Sequence, residues 1–121
     1  MIDETPDVSG VEQLVIIFRY FVLNNVVDRF ISFVDVSSDR RAEHLTSVVL
    51  NTLEKYECTT KLIGQCYDGA AVLSSDKNGV QSKVREICPL ATYVWCPAHV
   101  LNFILSKVCN RVHETQKKPF F

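Results

Sequence analysis

Two aspartates and one Cys-x-x-His pair are the residues of this chain whose types and spacing suit them to chemistry. Asp3 follows an apolar residue at the start, and Asp68 closes the strand-like run Lys61-Leu-Ile-Gly-Gln-Cys-Tyr-Asp68. Phosphodiester chemistry with two divalent cations needs carboxylates that bridge and flank metals about 3.5–4 Å apart. Mg²⁺ takes a few carboxylate oxygens together with waters and substrate phosphates. Neighbouring strands that end in one Asp each meet that need. The same two residues also read as a turn start (Asp3) and a strand cap before a Gly turn (Asp68), both common positions for Asp.

Cys96 and His99 stand at i and i+3 of a helix start, so they share one face. They amount to half of a zinc site, because tetrahedral zinc takes four ligands, and His44 and His113 show no matching pattern. Helix capping and packing of a small sulfur beside the sheet is the competing reading; DNA contact or active-site support is another. Cys66 and Cys88 read as core residues, since no base-type partner adjoins a Cys in a nucleophile pattern. Gly69-Ala70-Ala71 lacks the spacing and terminal Lys-Ser/Thr of a phosphate-binding loop. Arg40-Arg41, Lys83 with Arg85, and Lys117-Lys118 read as solvated basic pairs. Lys77 and Lys83 flank the Asp68 segment and are the best candidates for phosphate contact. Trp95 reads as a core aromatic at a strand end.

The elements that must position these residues follow from apolar periodicity. Residues 1–3 look like the stub of a strand, broken by Pro6, Ser9 and Gly10. Residues 13–22 are rich in β-branched and aromatic types and predict a strand, with Leu14, Ile16, Phe18, Tyr20 and Val22 on one face. Asn24 and Asn25 predict the turn, and residues 27–36 the returning strand. Ser38 or Asp39 is the expected N-cap of a helix carrying Ala42, Leu45, Val48, Val49, Leu53 and Tyr56 on its apolar face. A short strand over 62–67, a loop over 69–78, a helix with Val80, Val84 and Ile87, and a strand at 93–95 come next. A third helix from about Pro97 is expected to bury Val100, Leu101, Ile104, Leu105 and Val108. The order β-β-β-α-β-α-β-α, an antiparallel hairpin plus βα units, predicts a mixed sheet flanked by helices. Residues 1–110 form the expected domain and 111–121 a polar tail.

At 121 residues the chain fits one domain. Its 13 basic and 14 acidic side chains give a formal net charge of −1. That balance provides no general attraction to DNA or RNA, which bind through phosphate neutralisation. A local basic patch, a metal or another domain would be needed. Five cysteines, without a Cys-x-x-Cys pair or a signal-peptide pattern, favour a reducing intracellular compartment. No apolar run is long enough to span a bilayer, so no membrane role is expected.

Four ordered motifs carry a family resemblance. Asp3-Glu-Thr-Pro-Asp7-Val-Ser, with Glu12-Gln13-Leu14 and Arg19-Tyr20, resembles the opening of the RNase H-like domain of hAT (hobo/Activator) transposases. It is most similar to the transposon-derived branch whose domain of unknown function accompanies MYM-type or TTF-type zinc fingers. Gly64-Gln-Cys-Tyr-Asp68-Gly-Ala-Ala, Lys77-Asn-Gly-Val-Gln81 and Cys96-Pro-Ala-His99-Val-Leu-Asn102 continue the match in order. The resemblance spans nearly the whole chain and implies a truncated RNase H-like α/β fold.

By that resemblance, Asp3 and Asp68 match the first two members of an Asp-Asp-Glu triad, and the Cys-x-x-His is a signature after the last core strand. The Glu lies far downstream in the family, beyond a large helical insertion, and nothing in these 121 residues matches it. The implied ancestral activity is Mg²⁺- or Mn²⁺-dependent DNA cleavage and strand transfer. With the third carboxylate absent and the first strand cut short, little or no autonomous catalysis and no stably held metal are expected. The implied partners are DNA, ancestrally, and other subunits through a C-terminal region; the implied location is the nucleus. A domesticated, non-catalytic module binding nucleic acid or protein is the alternative, and a fragment without an independent role is a third.

Overall fold

Alternating apolar residues between Glu12 and Asp35 fold back on themselves as a long antiparallel hairpin. A computed structural model describes residues 1–116, with side chains through Arg111. Strand β1 is Ile2–Pro6, β2 is Glu12–Val22 and β3 is Asn25–Asp35, paired in the order β1-β2-β3. Asp3 therefore lies inside a five-residue strand, opposite Val15, not at a strand end. Pro6 closes the strand instead of breaking it earlier, because a proline at the last edge position forfeits no needed ladder bond. Asp7 then closes the turn, its carboxylate accepting the Ser9 and Val11 amides at 2.7 and 3.1 Å.

Leu14 and Ile16 point into the core, as the period of two requires. The register shifts between Ile16 and Ile17, which face Ser32 and Phe30, so Ile31 is the extra residue of a bulge. The turn is formed by Leu23 and Asn24, at φ 45° and 66°, one residue earlier than Asn24-Asn25 suggested. Asn25 is already the first residue of β3. Two positive φ values match the right-handed twist of the hairpin, at a steric cost for Leu23.

Helix α1, Ala42–Lys55, lays Ala42, Leu45, Val49 and Leu53 into a buried cluster with Leu14, Ile16 and Val36. Its N-cap position is Arg41, not Ser38 or Asp39. The Asp39 carboxylate instead accepts the Arg41 amide at 2.9 Å and clamps the Arg41 guanidinium, closing a turn just before the helix. After a 3₁₀ turn at Thr59–Lys61 come β4 (Gly64–Tyr67), the short α2 (Ala71–Ser74), α3 (Val80–Ile87) and β5 (Thr92–Trp95). The segment 69–78 thus holds a helical turn where a loop was expected. Val80 and Val84 are fully buried, whereas Ile87 is exposed.

Strands β4 and β5 pair in parallel, with Gly64↔Thr92 through Tyr67↔Trp95 in register. They form their own two-stranded sheet, and β1 lies beside β4. The molecule is thus a mixed α/β fold of one antiparallel and one parallel sheet with helices. A buried polar network ties β4 to its neighbours. The Gln65 side-chain amide donates to the Gln81 and Ala91 carbonyls at 3.0 and 2.9 Å, and Tyr67 Oη donates to Gln65 Oε1 at 2.6 Å.

Helix α4, Pro97–Gln116, departs from expectation in two ways. It continues through 111–116, the start of the expected tail; residues 117–121, with the Lys117-Lys118 pair, and the His113 side chain lie outside what is described. Second, Leu101, Ile104, Leu105 and Val108 are all more than half exposed, and only His99 and Val100 are partly covered among its described side chains. Periodicity reports a helix's apolar stripe. It does not report whether the chain holds a surface to cover it.

Candidate metal centre

The seam between β1 and β4 brings Asp3 and Asp68 to one place. Asp3 comes from the second residue of β1, and Asp68 from the residue that follows β4. Parallel pairing puts the end of β5 beside the end of β4, and the chain enters α4 there. The Cys96 amide donates to the Tyr67 carbonyl at 2.7 Å, and the Val100 amide to the Cys96 carbonyl at 3.1 Å, so Cys96 sits at the helix mouth. His99, in the first turn, faces the two aspartates. A carboxylate oxygen of each Asp and a ring nitrogen of His99 lie within 4.8 Å of one another. His99 Nε2 is 3.6 Å from Asp3 Oδ1. Among the described residues, this is the group of three His, Cys, Asp or Glu side chains spaced to hold a metal ion.

Local geometry holds Asp68 in place. Its Oδ1 accepts the Ala70 amide at 2.9 Å, closing a tight turn over Gly69. Tyr93 Oη donates to the Asp68 carbonyl at 2.9 Å. Trp95 is 47% exposed and is no core residue. Its indole covers Gly69 instead, where a Cβ would stand 2.8 Å from ring carbons. Any larger residue at 69 would push the ring or the Asp68 turn aside.

Burial dominates the electrostatics of Asp3, and the charges around it oppose one another. Burial, and secondarily the Asp68 carboxylate, push Asp3 above the ordinary carboxyl range, against the opposing pull of His99. The polar contact with Cys96, aided by Asp3, raises His99; the same contact with His99 lowers the Cys96 thiol. Burial, then Cys96, raises Cys66. His99 Nδ1 is itself buried, with no partner at full hydrogen-bond geometry among the described residues. An acidic pair beside a half-buried imidazole is a donor set that fits a divalent cation, since a cation would offset the repulsion between the carboxylates.

Other sequence candidates lie elsewhere. Lys83 Nζ is 3.2 Å from Glu43 Oε1 of α1, so its charge is engaged. Lys77 lines a shallow groove with Asp76, Gln81, Ser82, Arg85, Glu86 and Pro89, which includes none of the three cluster residues. Glu4 is nearly buried and paired with Arg40 at 3.2 Å; strand alternation turns it away from the Asp3 face. Cys88 is buried and Cys66 half-buried, and all five cysteines are free thiols. Gln65, which braces β4, escaped the sequence reading; its one signal is a Gln in an otherwise apolar strand.

Residues 1–79 match the family model of the ZMYM1/FAM200 RNase-like domain, a domain of unknown function (DUF4371). The chain belongs to that family. The matched span of the RNase-like domain takes in β1 through β4 and both aspartates, and ends before Cys96 and His99. No solved structure matches the chain.

Proposed function

We propose that this RNase-like domain is transposase-derived, and that Asp3 and Asp68 form a divalent-cation site inherited from a DNA-cleaving and strand-transferring core. The convergence of these two side chains from separate strands, 65 positions apart in sequence, carries the reading. Mg²⁺ or Mn²⁺, when bound, would polarise a phosphodiester and lower the pKa of an attacking water or hydroxyl. The chain's own part is to fix two carboxylates at the mouth of the β1–β4 seam and to set His99 beside them.

As an isolated 121-residue polypeptide, the domain is inactive in this reading. Two carboxylates neutralise one divalent ion, whereas the two-metal reaction needs further anionic ligands. Glu4 is turned away and held by Arg40, so the described residues offer no replacement. The nucleus is the compartment this ancestry implies. A non-catalytic binding module is the second reading, favoured by the exposed apolar side chains Leu101, Phe103, Ile104, Leu105 and Val108 on α4.

Mn²⁺ binding read by the loss of the free-ion EPR signal, alongside a plasmid-nicking assay, tests this. The expected result is Mn²⁺ binding that Asp68→Asn removes, without nicking. Absence of binding at millimolar Mn²⁺ would sink the cation site. Nicking that Asp3→Asn or Asp68→Asn abolishes would sink the inactivity.

A further inference from the structure

We propose that His99 is the third ligand of the Asp3–Asp68 site, making it a one-ion centre that prefers a first-row transition cation to Mg²⁺. The inference rests on the cation site proposed above and deepens it.

Three observations support it. The first is position. Nε2 of His99 stands 3.6 Å from Asp3 Oδ1, and all three donor atoms fall within 4.8 Å. Ligands on one ion at ~2.0–2.1 Å sit roughly 3–4 Å apart, so small side-chain rotations close the set. The second is charge. Two carboxylates and a neutral imidazole carry −2, which balances one divalent ion and leaves a second one uncompensated. The third is the other face of the ring. A ligating His needs a polar neighbour at its second nitrogen to fix its tautomer. Nδ1 is buried and makes no full hydrogen bond among the described residues, so Nε2 is the nitrogen that faces the carboxylates, while Cys96 makes a polar contact with the imidazole.

Donor type then sets metal preference. Two oxygens alone suit Mg²⁺ and Mn²⁺ alike, whereas an imidazole nitrogen adds affinity for transition ions and little for Mg²⁺. His99 sits on the first turn of α4 and the aspartates on the two strands, so a bound ion would also pin the helix mouth to the β1–β4 seam.

The test uses Mn²⁺ and Mg²⁺ as the probes on the 121-residue chain, because Mn²⁺ avoids the five free thiols. Wild type, His99→Ala, His99→Asn and Asp68→Asn are compared by calorimetric titration. Electron spin-echo spectroscopy of bound Mn²⁺ reads nitrogen coupling directly, and circular dichroism confirms that each variant is folded. The expected result is a wild-type preference for Mn²⁺ over Mg²⁺ of roughly tenfold or more. That preference collapses in both His99 variants through loss of Mn²⁺ affinity, and the ¹⁴N modulation disappears. Mn²⁺ bound by wild type without ¹⁴N modulation, with His99→Ala binding as tightly and Asp68→Asn not binding, overturns the histidine ligand and leaves the two-aspartate site standing. Failure of wild type to bind either ion overturns both.

Discussion

Carboxylates of the β2–β3 hairpin and the turns that flank it, and the Asp3 carboxylate at the β1–β4 seam, live under opposite conditions. Asp28 is clamped by two bonds from Arg19, at 2.7 and 2.8 Å. Asp7 accepts the Ser9 hydroxyl and two backbone amides, and Asp35 accepts the Ser37 amide at 2.9 Å. These donors hold all three below the ordinary carboxyl value. At the seam, Asp3 is pushed the other way by burial and by Asp68. Side chains that close turns and pair strands, Asp68 among them, come with their own donors. The seam keeps like charges together, an arrangement typical of a site and not of a scaffold.

The largest effect that would sharpen this contrast lies on the scaffold side. Leu45 is fully buried against the sheet, and Leu45→Ala should cost about 2–5 kcal/mol in urea unfolding. A cost under about 1 kcal/mol would mean the α1 interface is not the core that positions the strands. Next is Gln65→Leu, expected to cost about 1–3 kcal/mol because it strands the Gln81 and Ala91 carbonyls and the Tyr67 hydroxyl. It should also weaken Mn²⁺ binding by shifting β4. Unchanged binding would show that Asp68 is positioned by its turn and Tyr93 alone. At the hairpin tip, Leu23→Asn relieves a left-handed leucine and should stabilise by about 0.5–1 kcal/mol.

The smallest effects concern pH and separate the two regions by sign. Asp7, Asp28 and Asp35 are depressed, so their contribution is present above the unfolded carboxyl value and is lost as pH falls through the folded one. Asp3 is raised, so in metal-free buffer its contribution is present at low pH and is lost as pH rises past the ordinary carboxyl value of 3.8 to its raised one. His99 is raised too, and its contribution is lost as pH climbs above 6.5. Asp68→Asn removes one cause of the Asp3 shift, so the Asp3 carboxyl should titrate at lower pH by NMR. An unmoved titration would mean burial alone sets it. Asp28→Asn, at a solvent-exposed pair, should lower the urea midpoint only slightly at neutral pH and not at all at low pH.

What the sequence disclosed follows from which forces are local. The strands and α1 were legible because alternation at Leu14 and Ile16, and helical spacing at Leu45, Val49 and Leu53, are local patterns with a partner surface nearby. Helix α4 was legible as a helix, but its exposure was not, since burial needs a second surface that no periodicity encodes. Asp3 and Asp68 were legible as candidates by type and by position near strands. Their meeting with His99 was not, because it depends on the parallel register of β4 with β5 and on where β1 falls beside them. The Gln65 network was hidden for the same reason: its acceptors belong to Gln81 and Ala91, far along the chain.

Anomalous diffraction from crystals of the domain soaked in MnCl₂ tests the central claim most directly. The expected result is one Mn²⁺ peak about 2.0–2.3 Å from an oxygen of Asp3, an oxygen of Asp68 and Nε2 of His99. No peak at the β1–β4 seam in a soak that fills other surface sites, with the two carboxylates turned apart, would contradict it.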